Sequence, residues 1–159
     1  MPENTEIVLT SEGKKELEEE LEYLKTVVRK QVSEKIKHAR GFGDLSENAE
    51  YDEAKNEQAE VEERISKIEY KLKYARVIEE SEIKSDIVTP GVRVKIYDVE
   101  FDEELEYQIV GPAEADPAKN KLSYESPVGA GILNRKKGDS VKIQTPGGES
   151  EFRIVDIMR

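Results

Sequence analysis

The chain has 159 residues, 38% of them charged and 36% hydrophobic, and 36 Asp and Glu against 25 Lys and Arg give a formal net charge of −11. That balance argues against a single compact globule, whose buried apolar surface must offset chain entropy, and an acidic chain is a poor free-standing binder of duplex DNA. Cysteine is absent and His38 is the single histidine, which excludes disulfides, thiolate nucleophiles, zinc–thiolate sites and multi-histidine metal sites.

In chain order, Met1 to Glu6 lack the basic and apolar regions of a signal peptide. No apolar run reaches the roughly 18 residues of a transmembrane helix. A soluble, cytoplasmic protein with no membrane partner is expected. Thr10 or Ser11 can cap a first helix. Leu17, Leu21, Leu24, Val28, Val32 and Ile36 then recur every three or four residues as one apolar stripe. The stripe stops at Gly41-Phe42-Gly43. It resumes with Ala54, Gln58, Val61, Ile65, Ile68, Leu72 and Ala75, whose alternating steps of four and three form a heptad seam. Two helices of about 30 residues joined by a short glycine turn must run antiparallel, as a rod roughly 45 Å long. A two-helix hairpin has only one seam to bury, which accounts for the low apolar fraction.

Beyond Glu79–Pro90, read as a connector, the pattern changes period. Residues 81–159 hold every proline except Pro2 and seven of the ten glycines. Val92, Val94 and Ile96 alternate with polar residues, as do Leu105, Tyr107 and Ile109, then Leu122 and Tyr124, then Val141 and Ile143. Phe152 and Ile154 continue the series, and Ile157 follows after a slip in phase. Pro146-Gly147-Gly148 marks a hairpin turn, and Ser126-Pro127 opens a short helix with serine as cap. The expected class is a two-domain α+β protein. Residues 1–79 form an antiparallel α-helical coiled-coil hairpin with its tip at about 40–51, and residues 80–159 form a small antiparallel β-sheet with a short helix.

The stretch from Gly41 to Tyr51 carries the candidate chemistry. Asp44 and Glu47 fit a capping box, a cap side chain with a glutamate three residues on. The same spacing on a helix sets the two carboxylates about 5–6 Å apart at Cβ, where they could jointly hold a hard cation. Magnesium prefers about six oxygens, so the pair is an incomplete site, and another molecule would have to supply the rest. Between Lys25 and Arg40 stand Lys25, Arg29, Lys30, Lys35, Lys37 and Arg40 against Glu34 alone. Such a track either guides a phosphate backbone or is a solvated face paired with the second helix. Tyr51 can stack on a base and Lys55 can pair with a phosphate, or they can be a packed tyrosine and a solvated lysine. His38 is assigned no role.

The run Gly43-Asp44-Leu45-Ser46-Glu47-Asn48-Ala49-Glu50-Tyr51 resembles the tip signature of the bacterial GreA/GreB transcript cleavage factor family. Leu9-Thr10, Gly13, Leu17 and Glu20-Leu21 resemble its opening helix. Tyr107-Gln108-Ile109-Val110-Gly111, Glu114-Ala115-Asp116, Ser126-Pro127 and Thr145-Pro146-Gly147-Gly148-Glu149 match its later pattern. The resemblance covers essentially the whole chain. It implies an FKBP-like second domain and a monomer that binds RNA polymerase at its secondary channel. It also implies stimulation of the polymerase's own cleavage of backtracked nascent RNA, not a free-standing nuclease. By position, Asp44 and Glu47 are the implied tip acids, sharing Mg2+ with the polymerase active site and binding none alone. Arg40, Tyr51 and Lys55 are the implied transcript contacts, and Ser126, Pro127 and Val128 the implied docking segment. The acidic total and modest basic track favour the less basic branch of the family, and the intact Asp44…Glu47 pair argues against its inhibitory members. Two other classes remain in play. One is a coiled-coil adaptor or chaperone that uses the hairpin as a clamp. The other is a prolyl isomerase, for which no compact aromatic cluster is evident.

Overall fold

The computed structural model describes residues 6–41 and 48–159. Its contacts divide the chain into two units, Lys14–Tyr74 and a second made of Met1–Gly13 with Ala75–Arg159.

The helical unit is a hairpin. Helix α1 spans Ser11–Tyr23, continues through a π-helical segment at Leu24–Val28, and resumes as α2 over Arg29–Arg40. Helix α3 returns over Ala49–Tyr74. Val32, Ile36, Ala54, Val61 and Ile65 form the buried seam, flanked by the partly buried Leu21, Leu24, Val28 and Tyr51. Ile68 is also fully buried, so the stripe expected from sequence is the one buried. The π segment has a cause in that stripe. The steps Leu24, Val28, Val32, Ile36 are all four residues, and each overshoots a 3.6-residue turn by about 40°. A wider turn restores the phase and keeps these side chains on the seam. Gln58 occupies its seam position half-exposed, and Ala75 falls just beyond the end of α3.

The chain up to Gly13 belongs to the second unit because strand β1 (Val8–Leu9) pairs in parallel with β2 (Arg76–Val77). Val8 and Leu9 are buried there. The main sheet has five strands: β3 (Arg93–Asp98), β4 (Glu103–Val110), β5 (Lys121–Ser123), β6 (Ser140–Thr145) and β7 (Gly148–Met158). Their order is β5-β4-β3-β7-β6. Three pairings are antiparallel, but β5 joins β4 in parallel, with Gln108 opposite Lys121. The expected all-antiparallel sheet is therefore a mixed one. The excursion from Gly111 to Asn120 turns the chain back on itself, so that β5 repeats the direction of β4. The phase slip before Ile157 is a bulge: Lys95 faces Asp156 while Ile96 faces Ile154, leaving Val155 as the extra residue.

One face of the sheet carries Val92, Val94, Ile96, Ile109, Val141, Ile143, Phe152, Ile154 and Ile157, covered by Ile132 of α4 (Pro127–Ile132). A Cβ on Gly131 would meet the Ile143 side chain at 2.7 Å, so this glycine permits close packing of α4 on β6. The segment read as a connector contributes a core residue. Val88 is fully buried and bonded through its backbone to Asn134 and Arg135.

Candidate functional site

The two ends of the helices at the tip are held by one side chain. Asn48 precedes α3 and is 9% exposed. Its Oδ1 accepts from the Tyr51 backbone N–H at 3.1 Å, the bond of a helix N-cap. Its Nδ2 donates to the Ala39 carbonyl at 2.6 Å, in the last turn of α2. The cap of α3 is thus Asn48. Asp44 and Glu47, the candidate capping box and the candidate cation pair, lie outside the described residues.

Arg40 is the last residue of α2, and its guanidinium carbon lies 5.9 Å from the centre of the Tyr51 ring. This is a cation–π contact across the turn. Tyr51 also packs against the hairpin seam, so it is part structural. Lys55, one turn further along α3, is exposed and donates to Gln58 Oε1 at 3.0 Å. The structure therefore brings Arg40 and Tyr51 together and leaves Lys55 at the surface beyond them.

The basic track divides. Arg29 makes a bidentate pair with Glu62, at 2.7 and 2.9 Å. Lys25 meets Glu69 at 2.7 Å and Lys35 meets Glu57 at 3.0 Å. These three are largely neutralised across the hairpin. The hydrogen bond from Arg29 holds the Glu62 carboxyl below its ordinary range, and the same bond raises Arg29. Lys30 and Lys37 have no carboxylate partner among the described residues. Seven residues apart, they share one face of α2. Glu34, His38, Glu50 and Glu53 line a groove elsewhere on the same part of the hairpin. Among the described residues, no group of three or more His, Cys, Asp or Glu is placed to hold a metal ion.

In the second unit, the Ser126 hydroxyl donates to the Ser123 carbonyl at 2.6 Å and accepts from Gly129 N–H at 3.1 Å. Ser126 is thus the cap of α4, with Pro127 at its first position. Pro127 is exposed, and Val128 packs partly against the core. Sequence reasoning missed a buried carboxylate here. Glu114 accepts from the backbone N and Oγ1 of Thr10 at 2.8 and 2.7 Å, and pairs with Lys121 at 3.3 Å. Thr10 Oγ1 in turn accepts from Gly13 N–H at 2.9 Å, which caps α1. The quoted Thr10, Gly13 and Glu114 were the available signal, but they are far apart in sequence.

Among the described residues, no helix is long and apolar enough to cross a membrane. The family described as transcription elongation factor, N-terminal, matches residues 7–77. That described as transcription elongation factor, GreA/GreB, C-terminal, matches residues 83–159. Transcription elongation factor GreA of Clostridium perfringens (strain 13) is 60% identical over 152 residues, 96% of each chain. That of Clostridium botulinum (strain Langeland) is 57% identical over 159 residues, 100% of this chain and 99% of the relative. The crystal structure of GreA factor homolog 1 of Thermus thermophilus is 30% identical, covering 97% of this chain and 99% of that one, with a TM-score of 0.44. From end to end, the chain belongs to the GreA/GreB family of transcription elongation factors.

Proposed function

We propose that this protein binds RNA polymerase as a monomer in the cytoplasm, inserts its hairpin in the secondary channel and stimulates the polymerase's own cleavage of backtracked nascent RNA. Family membership across both halves carries the reading, and the acidic pair between the two helix ends gives it chemistry. Asp44 and Glu47 supply carboxylate oxygens that complete a site whose other ligands belong to the polymerase. Two carboxylates suit magnesium but leave most of its coordination unfilled, so the chain alone is not a nuclease. Magnesium in such a site activates water and offsets charge on the scissile phosphate. The carboxylates orient the attacking water toward the phosphodiester. Arg40 and Lys55 pair with transcript phosphates, and Tyr51 stacks on a base. The contact of Arg40 with Tyr51 supports this by presenting cation and ring as one surface. Docking through Ser126–Val128 rests on the exposed Pro127, since the Ser126 hydroxyl is engaged in capping.

Asp44→Asn tests the reading. Asn48, not Asp44, caps α3, and asparagine keeps the size of aspartate, so the fold and polymerase binding are expected to persist. Cleavage in halted complexes is expected to fall by about tenfold or more. Undiminished cleavage at ordinary magnesium concentration would remove Asp44 from the mechanism.

A further inference from the structure

We infer that Asn48 is a positioning residue for the tip acids: its amide ties the end of α2 to the start of α3, between which Asp44 and Glu47 lie in the sequence. This inference rests on the proposed roles of those two carboxylates. Capping alone does not call for asparagine here, because aspartate or serine would accept equally well from Tyr51 N–H. What they lack is a donor. The Nδ2 bond to Ala39 at 2.6 Å uses the half of the amide that capping leaves over. The Ala39 carbonyl belongs to the last turn of α2, where helix geometry leaves carbonyls without an in-helix N–H. One buried side chain therefore satisfies an orphan donor of α3 and bonds a carbonyl in the last turn of α2. The backbone continues this arrangement, with Asp52 N–H bonded to Asn48 O at 3.1 Å and Gly41 N–H to His38 O at 3.0 Å. The last turn of α2 and the first turn of α3 are thereby tied to each other. A group that must meet a metal and a water inside another protein depends on such support. Displacements near 1 Å cost about 100-fold in rate.

The test uses Asn48→Ser and Asn48→Asp in the full-length protein. Both keep a capping acceptor, and neither can donate to Ala39. Three measurements are made with halted polymerase complexes or the free protein. Polymerase affinity is expected to stay within about twofold, because the docking surfaces are untouched. Cleavage at saturating factor is expected to fall about 10- to 100-fold, with half-maximal magnesium shifted upward. The third readout is independent of activity. The chain lacks cysteine, so spin labels at Lys37→Cys and Asp52→Cys, both exposed, report the separation of the helix ends. That distance distribution is expected to broaden in both Asn48 variants. Unchanged distances, unchanged cleavage, or a cleavage loss that merely follows lost affinity or lost helicity would overturn the inference. Asp44→Asn run alongside separates the two failures. If it cleaves normally, the proposed function fails. If it loses cleavage while both Asn48 variants retain it, only the positioning role fails.

Discussion

Replacing Gly13 by alanine sets two physical effects of opposite sign against each other. Gly13 lies in the first turn of α1, and within a helix alanine is favoured over glycine by about 1 kcal/mol. Propensity alone makes the variant more stable. The surroundings predict the reverse, because a Cβ at Gly13 overlaps the carboxylate of Glu114 and lies 2.7 Å from its Oε1. A carboxylate on a flexible stem normally moves aside. This one accepts two bonds from Thr10 and pairs with Lys121, with side-chain exposures of 10% for Lys121 and 5% for Glu114. Moving it breaks a buried ion pair, which costs about 3–5 kcal/mol. Less the helical gain, the net expectation is a loss of about 2–4 kcal/mol. The assay is urea unfolding of Gly13→Ala, Glu114→Ala and the double variant, followed by tyrosine fluorescence, since the chain has no tryptophan. If the carboxylate is the cause, Gly13→Ala destabilises the parent protein but stabilises the Glu114→Ala background by about 1 kcal/mol. Stabilisation of the parent, or equal losses in both backgrounds, would refute the reasoning.

Ile65, 2% exposed at the middle of the seam, is expected to cost about 2–4 kcal/mol as alanine, read as loss of helical circular dichroism in thermal melts. A loss well under 1 kcal/mol would show that the seam does not hold the hairpin. Acid is expected to weaken the hairpin through Glu62, whose carboxyl the Arg29 hydrogen bond holds below its ordinary value of 4.5. The stabilisation is therefore fully present above that value and is lost as pH falls through the lower, folded one. Both partners are nearly half exposed, so the effect shrinks at high salt, and an identical acid profile for Glu62→Gln would remove the pair from the account.

The parts of the fold legible in the sequence were those where one face is buried along a regular element. The α3 seam from Ala54 to Ile68 and the alternation through β3, β6 and β7 follow directly from burial. Even the irregularities left a trace: the run of four-residue steps announces the π segment, and the slip before Ile157 announces the bulge. Strands β1 and β2 have two residues each, too few to carry a period. The direction of β5 depends on how the Gly111–Asn120 excursion folds, which no local pattern encodes. At the tip, the capping-box template selects Asp44 and Glu47, because it scores a cap with a glutamate three residues on. Asn48 has Tyr51 at that place and contributes a different second bond, to a carbonyl nine residues earlier. A template confined to one helix start does not represent a side chain that serves two helix ends.

The charges of the hairpin make a related point about what charge counts mean. Read along the chain, the six cations between Lys25 and Arg40 form one track; read across the seam, three of them belong to glutamates of α3. Exposed pairs of this kind contribute little stability, about 0–1 kcal/mol each. Their arrangement nevertheless specifies register. If α3 slipped by one heptad in one direction, Arg29 would face Lys55 in place of Glu62, and Glu20 would face Glu57 in place of Arg64. Slipped the other way, Lys35 would meet Arg64 in place of Glu57, and Lys25 would lose Glu69 with no residue of α3 to replace it. The first slip thus sets like charges together at two places and the second at one, while the apolar seam alone would tolerate either. Register decides which residues stand level where the chain turns. A slip of one heptad shifts α3 by about 10 Å, which would carry the Asn48 amide away from the Ala39 carbonyl, so ion pairs far from the tip help to hold these two helix ends together.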